Sequence, residues 1–266
     1  MSASGIERIQ AAFAKGERRA ALMPYLLGGY PDPERSRACV VAAIEAGADL
    51  IELGVPFSDP LADGPVIHEA ASQALARGVT PGDVLAIAEA VADRCPVVLM
   101  AYANLVFTVG AARFCERLQA AGVAGLIVPD LPFDEADELR AETDRRGLAL
   151  VPLSAPTSTD ERLKSLGAVA RGFVYAVSLT GTTGERAELP PGLPEFVARV
   201  RANTSVPVAV GFGISGPRQA ARVAEFADGV IVGSRIVRAA GEEGPQGVEA
   251  VVRELAGALT QVRQPA

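Results

Sequence analysis

The sequence predicts an α/β fold: a closed (β/α)8 TIM barrel with an extra N-terminal helix, residues 1–266 forming one domain. Three observations lead there. Short apolar runs alternate with amphipathic stretches eight times along the chain, each unit spanning roughly 25 to 35 residues, the rhythm of strand–helix repeats. Several of the runs are continuously apolar, as strands of a parallel sheet covered on both faces must be. Gly28-Gly29-Tyr30-Pro31, after the first run, is not the glycine fingerprint of an open doubly wound sheet. A chain of 266 residues, 49% of them hydrophobic, can fill one barrel-sized core.

The elements follow in order. Ile6, Ile9 and Phe13 lie on one face of a helix that covers one end of the core. Residues 20–27 form strand one, ended by the Gly-Gly turn. Asp32-Pro33-Glu34 opens a helix with an N-cap Asp and a first-turn Pro, and Gly47 ends it. Strand two covers 49–53. Helices follow at 66–77, closed by Gly78, and from Thr80 to about Arg94. Strand three is 96–101, then a helix at 109–121 stopped by Gly122. Strand four is 124–128, then a helix at 133–146 stopped by Gly147. Strand five is 148–153, and Ser158-Thr159-Asp160-Glu161 opens the next helix. Strand six is 172–177, followed by a long Gly/Thr-rich loop at 178–191 and a helix at 193–203. Strand seven is 206–210, with a helix at 215–226. Strand eight is 229–232, followed by a short helix from Ser234 and a last one at 245–262.

Composition removes several kinds of chemistry. The net charge of −7 carries no basic patch, so nucleic acid is not the expected partner. Cys39, Cys95 and Cys115 have neither disulfide nor metal spacing and read as small apolar residues. The N-terminus is an amphipathic helix, not a signal peptide, and no run approaches the ~20 apolar residues of a membrane span, so a cytoplasmic protein is expected. The two lysines, Lys15 and Lys164, end no barrel strand, which argues against a Schiff-base aldolase. One histidine, His68, cannot supply the ligand set of a metal aldolase, so no metal is expected, and it reads as a helix surface or interface residue. Carboxylate acid–base chemistry remains.

In such a barrel the site lies at the C-terminal ends of the strands. Glu52 ends strand two, and Asp63 sits in the following loop, whose path Pro56, Pro60, Pro65, Gly54 and Gly64 stiffen. Glu52 is either a satisfied core acid or a proton-transfer group whose burial raises its pKa. Asp63, in a more polar loop, is expected to stay ionised. Tyr102 and Asn104 follow strand three, and Asp130 follows strand four. Tyr175, near the end of strand six, is either a core residue or a neighbour of Glu52. Gly211-Phe212-Gly213-Ile214-Ser215 and Gly233-Ser234 follow strands seven and eight, where backbone N–H groups and a helix N-terminus can hold a phosphate. Tyr25, Ile67, Met100, Phe212 and Ile231 are candidates for an apolar pocket.

The stretch Glu52-Leu53-Gly54-Val55-Pro56-Phe57-Ser58-Asp59-Pro60-Leu61-Ala62-Asp63-Gly64-Pro65 closely resembles the signature of the tryptophan synthase α chain family. Residues 101–107 and 211–215 resemble it as well. The resemblance implies retro-aldol cleavage of indole-3-glycerol phosphate to indole and glyceraldehyde 3-phosphate in tryptophan biosynthesis, with Glu52 and Asp63 as the catalytic pair. It implies phosphate binding by Gly184, Phe212, Gly213, Gly233 and Ser234, and makes Tyr175, Tyr25, Ile67 and Met100 candidates to line an indole pocket, although most of them read equally as core residues. No cofactor is implied in this chain. A pyridoxal-phosphate β chain is, in an α2β2 heterotetramer, with Asp59, Pro56 and Asn104 as candidate contacts. Asp59 reads equally as a turn-capping side chain. The loop at 178–191 is expected to close over substrate, with Thr183 touching Asp63. Leu27-Gly28, Tyr25 (often Phe), Leu179 and Thr182 depart from the family pattern. The alternatives are a stand-alone indole-3-glycerol-phosphate lyase and a non-catalytic activating subunit.

Overall fold

The computed structural model describes residues 3–14, 18–178, 189–211 and 213–260. In chain order the elements are α1 (Gly5–Phe13), β1 (Ala21–Leu27), α2 (Pro33–Glu45), β2 (Ile51–Gly54), α3 (Pro65–Ala76), α4 (Pro81–Glu89), β3 (Val97–Met100), α5 (Ala103–Val109) and α6 (Ala111–Ala120). They continue with β4 (Gly125–Ile127), a 3-10 turn (Phe133–Glu135), α7 (Asp137–Arg145), β5 (Ala149–Leu150), β6 (Leu153–Ser154), α8 (Asp160–Val169) and β7 (Val174–Val177). The chain closes with α9 (Leu193–Arg201), β8 (Val208–Gly211), α10 (Pro217–Ala224), β9 (Gly229–Val232), α11 (Ser234–Glu242) and α12 (Pro245–Thr260).

All pairings among these strands are parallel, in the order β5-β4-β3-β2-β1-β9-β8-β7-β6. The two ends of that order, β5 and β6, are pieces of one stretch, residues 149–154. Its first half pairs with β4 and its second half with β7, so the sheet closes on itself. Pro152 explains the split: it has no N–H to donate, but its carbonyl accepts from Tyr175 N at 2.9 Å. Strand five of the sequence reading is therefore present but broken in the middle.

Alternate residues of each strand point into the barrel. Met23, Tyr25, Val98, Met100, Ile127, Phe173, Tyr175, Ala209 and Ile231 fill the lumen. Leu22, Leu26, Ile51, Leu53, Leu99, Val174, Val208 and Val230 meet the helix layer outside. α1 plugs the N-terminal end of the lumen with fully buried Ile9, and Phe13 lies 5.6 Å from Phe173. Burying a side chain the size of Ile9 is worth about 1.5–3 kcal/mol, which is why the extra helix docks. Asp32 caps α2 as expected, accepting from Arg35 N at 2.9 Å, and Thr80 with Asp83 forms a capping box on α4.

Helix boundaries differ most in three places. The helix expected at 109–121 is α6, and a separate helix, α5, precedes it; Gly110, at φ +88°, turns the chain between them. α4 ends at Glu89, with turns taking the chain to Cys95. The helix expected from residue 133 begins as the 3-10 turn.

Candidate active site

The C-terminal mouth of the barrel gathers the acids. Glu52 shares the inward parity of Leu50 and stands opposite Tyr25 on β1 and Val98 on β3. It is fully buried, and neither carboxylate oxygen has a hydrogen-bond partner among the described residues. The reading of Glu52 as a satisfied core acid is therefore wrong. Burial first, and the charge of Asp63 second, push its carboxyl up to about 8.

Asp63 is held by the loop rather than by a strand. Phe57 stacks on Tyr102 with ring centroids 4.9 Å apart, pinning the loop to the end of β3. Ala62 N–H donates to the Tyr102 hydroxyl at 3.2 Å, and that hydroxyl in turn pulls the pKa of Asp63 down. Burial raises the Asp63 carboxyl to about 6, against the downward pull of Tyr102 and of His68 on α3. The loop is thus less polar around Asp63 than the sequence suggests, yet at neutral pH a carboxyl near 6 remains about nine-tenths ionised.

Two tyrosines flank the acids from opposite sides of the lumen. A methyl placed on Gly54 would lie 2.1 Å from the Tyr25 hydroxyl, and one on Gly211 would lie 2.2 Å from that of Tyr175. Only glycine lets each hydroxyl rest on the neighbouring strand. Burial raises both phenols well above their usual range. The charges of Asp63 and then Glu52 add to this for Tyr25, and those of Glu52 and then Asp63 for Tyr175.

Across the mouth, Gly213 follows β8 at φ +76°. Gly233 is the N-cap of α11 and supplies no side-chain cap, so the first-turn N–H groups, from Ser234 onward, are open to an anion. Atoms of Ile67 and of the Tyr25 ring lie 3.6 Å from where a Gly233 Cβ would sit, joining this turn to the apolar pocket. Ile67, Met100 and Ile231 are buried in the lumen cluster with Tyr25 and Tyr175. Arg235 is committed elsewhere, to Glu254 and the Ser215 carbonyl.

Asp59 and Asn104 are exposed at the mouth, whereas Pro56 is buried and shapes the loop from within. Ser58 donates to Asp59 at 2.8 Å. Asp130 is a cap: its Oδ1 accepts from Ala103 N at 2.8 Å and starts α5. Thr183, Gly184 and Phe212, and with them the expected lid contact, lie outside the described residues. The sequence reading gave no role to Tyr102, which holds Asp63. The only signal for it was its place at the end of a barrel strand. It also passed over Leu61 and Phe107, large apolar side chains that are 78% and 43% exposed.

A closed (β/α)8 barrel with desolvated acids and an open helix N-terminus at its C-terminal mouth defines an enzyme of the barrel class. The comparisons name the family. The family model for the tryptophan synthase alpha chain matches residues 11–264. The alpha chain of Dehalococcoides mccartyi is 48% identical over 235 residues, 88% of this chain and 91% of that one. The alpha chain of Synechococcus elongatus is 45% identical over 257 residues, 96% of each. Among solved structures, a chain of Mycobacterium tuberculosis tryptophan synthase superposes with a TM-score of 0.89 at 43% identity, covering 97% of this chain and 99% of that one. A chain of the α2β2 complex of Pyrococcus furiosus gives 0.83 at 37%, covering 90% and 99%. The chain belongs to the tryptophan synthase alpha chain family. It is a lyase of tryptophan biosynthesis that cleaves indole-3-glycerol phosphate.

Proposed function

We propose that Glu52 and Asp63 divide the acid–base work of this cleavage. The observation that carries the reading is the fully buried Glu52 carboxyl without a hydrogen-bond partner, beside a second acid that stays ionised at neutral pH. With its pKa near 8, Glu52 is protonated at rest and donates to indole C3, while Asp63 accepts the ring N–H proton. Glu52, now a carboxylate, takes the proton of the glycerol hydroxyl. The C–C bond breaks, the aldehyde forms, and the electron pair returns to the ring as Asp63 gives back its proton. Each acid ends as it began. Tyr175, Tyr25, Ile67 and Met100 pack the indole. Gly213, Gly233 and Ser234 hold the phosphate, with Gly184 and Phe212 assigned there on the family resemblance.

The same reading takes residues 1–266 as one barrel domain with no cofactor of its own, working in the cytoplasm. Among the described residues no helix is long and apolar enough to cross a membrane. Its partner is a β chain carrying pyridoxal phosphate, assembled as α2β2. Leu61 and Phe107 stand exposed near Asp59 and Asn104 in the sequence, on the loop after β2 and on α5, and an apolar surface of this kind suits a protein partner. Glu52→Gln and Asp63→Asn test the acid pair. Each is expected to lower indole release by about 10²–10⁴-fold while leaving the circular dichroism of the fold unchanged. Near-parental turnover by either variant removes that residue from the mechanism.

A further inference from the structure

The hydrogen bonds around Asp63 lead to Tyr102. This residue leaves the end of β3, is 3% exposed, and stacks on Phe57 of the same loop that carries Asp63. Its oxygen accepts from Ala62 N–H. An N–H arriving at a phenol oxygen uses a lone pair and leaves the single O–H free to donate. That O–H is directed to Asp63, the residue next along the chain. One ring thus grips the loop twice, by stacking and by accepting, and keeps its O–H for the carboxylate.

We propose that Tyr102 is the positioning residue of Asp63, holding its carboxylate in place and in its ionised form for the indole N–H. The proposal rests on the reading of Asp63 as the ring N–H acceptor. Asp63 needs such a device because a loop, unlike a strand, does not fix a side chain, and a misplacement of about 1 Å can cost about 10²-fold in rate. It also needs a donor because its surroundings oppose its charge. Burial penalises the ion, and the charge of Asp63 in turn raises Tyr25 on β1, Glu52 on β2 and Tyr175 on β7, which stay protonated beside it. Among the described residues, Tyr102 and the exposed His68 on α3 favour the ionised form. The Tyr102 hydroxyl is itself held far above its usual range, by burial first and by the charge of Asp63 next, with Asp130 adding to it. It therefore remains a donor throughout the working pH range.

The test is Tyr102→Phe in the full chain, followed by indole release from indole-3-glycerol phosphate across pH. The ring and its stack remain, and only the hydroxyl goes. A hydrogen bond to an ion is worth about one pH unit or somewhat more, so the acid limb of kcat should move up by about that much. At neutral pH kcat should fall about tenfold or more, with KM changed by less than about twofold. A purely structural tyrosine would lower the melting temperature and leave the limb in place. Phe57→Leu gives the complementary result: it weakens the stack but keeps the hydroxyl, so the limb should stay at its parental pH. Asp63→Asn should abolish the limb, and adding Tyr102→Phe to it should cost nothing further. A dead Asp63→Asn beside a Tyr102→Phe with parental kcat and an unmoved limb overturns the positioning role alone. An active Asp63→Asn overturns the reading of Asp63 and this proposal with it.

Discussion

Replacing Glu52 by Gln should make the barrel more stable at neutral and alkaline pH while removing its activity. The magnitude follows from the surroundings of the carboxyl. It titrates at about 8 in the fold against 4.5 for an unburied glutamate, chiefly because burial penalises the ion. A carboxyl whose folded pKa is raised stays protonated in the native state while the unfolded chain has already lost its proton. Its contribution is therefore intact below about pH 4.5 and declines as pH rises towards about 8. At pH 7 the loss spans about 2.5 pH units, or about 3 kcal/mol, and at pH 8 it reaches about 4 kcal/mol. Glutamine is neutral throughout and leaves a polar group of similar size in the same place. The desolvation of that neutral group is common to both proteins and cancels in the comparison. Asp63, raised to about 6, imposes a pH dependence of its own, and this cancels as well. For a chain of this length the gain corresponds to a melting temperature higher by about 6 °C at pH 7, shrinking to about 1.5 °C at pH 5. Scanning calorimetry of both proteins at the two pH values measures it. The same increment at pH 5 and pH 7, or none at either, would refute the account of Glu52 as a desolvated acid held at the expense of stability.

Other substitutions test other parts of the site. Gly233→Ala should fold normally, because a methyl there meets Ile67 and Tyr25 only at ordinary contact, 3.6 Å. Gly233→Asp should abolish binding of glycerol phosphate yet leave free indole binding intact, and calorimetric titration with each ligand separates the two. Gly54→Ala places a methyl 2.1 Å from the Tyr25 hydroxyl, an overpacking expected to cost about 1–3 kcal/mol. Tyr25→Phe should recover part of that cost, and denaturant melts of the two single variants and the double variant measure the coupling. Asp130→Ala removes the cap of α5 and should lower stability by about 1 kcal/mol, with a parental melting temperature as the refuting outcome.

Most of the fold was legible because its signals are local. Asp32-Pro33 and Thr80-Pro81-Gly82-Asp83 cap helices with their own side chains, and Gly47, Gly78, Gly122 and Gly147 end helices at positive φ. What the sequence hid was tertiary. α5 has no side-chain cap at Tyr102, and its β-branched Val106, Thr108 and Val109 read against helix. The cap comes instead from Asp130, 27 residues downstream, and no window along the chain could show that. Pro152 splits strand five although the apolar run around it is continuous. In the site, Glu52 and Asp63 stood out as acids where acids are costly, whereas Tyr102 looks like any buried aromatic until its hydroxyl is seen against Asp63. The loop chemistry of Asp63 was misjudged for the same reason: burial by neighbouring elements, not the composition of the loop, raises its pKa.

A comparison of the acids in the barrel wall shows why Glu52 reads as functional rather than structural. Asp49 and Asp228 also lie in the barrel wall, each just before a strand, at its N-terminal end. Asp49 accepts from Arg18 at 2.9 Å and from Leu22 N–H at 2.8 Å, and Arg18 also holds the Gly47 carbonyl. Asp228 accepts from Arg201 and, at 2.9 Å, from Val208 N–H. Each is a paired, hydrogen-bonded acid that ties the start of one strand to a neighbouring strand, and paired acids of this kind are common where charge must be buried. Glu52 lies three residues beyond Asp49 on the same strand run, buried more deeply, with no donor at either oxygen among the described residues. Evolution of a stable barrel would fill that position with an apolar residue or supply a partner. The asymmetry between a satisfied N-terminal end and an unsatisfied C-terminal end is what a barrel enzyme requires. The first holds the strands in register, and the second keeps a proton loosely enough to give it away at neutral pH.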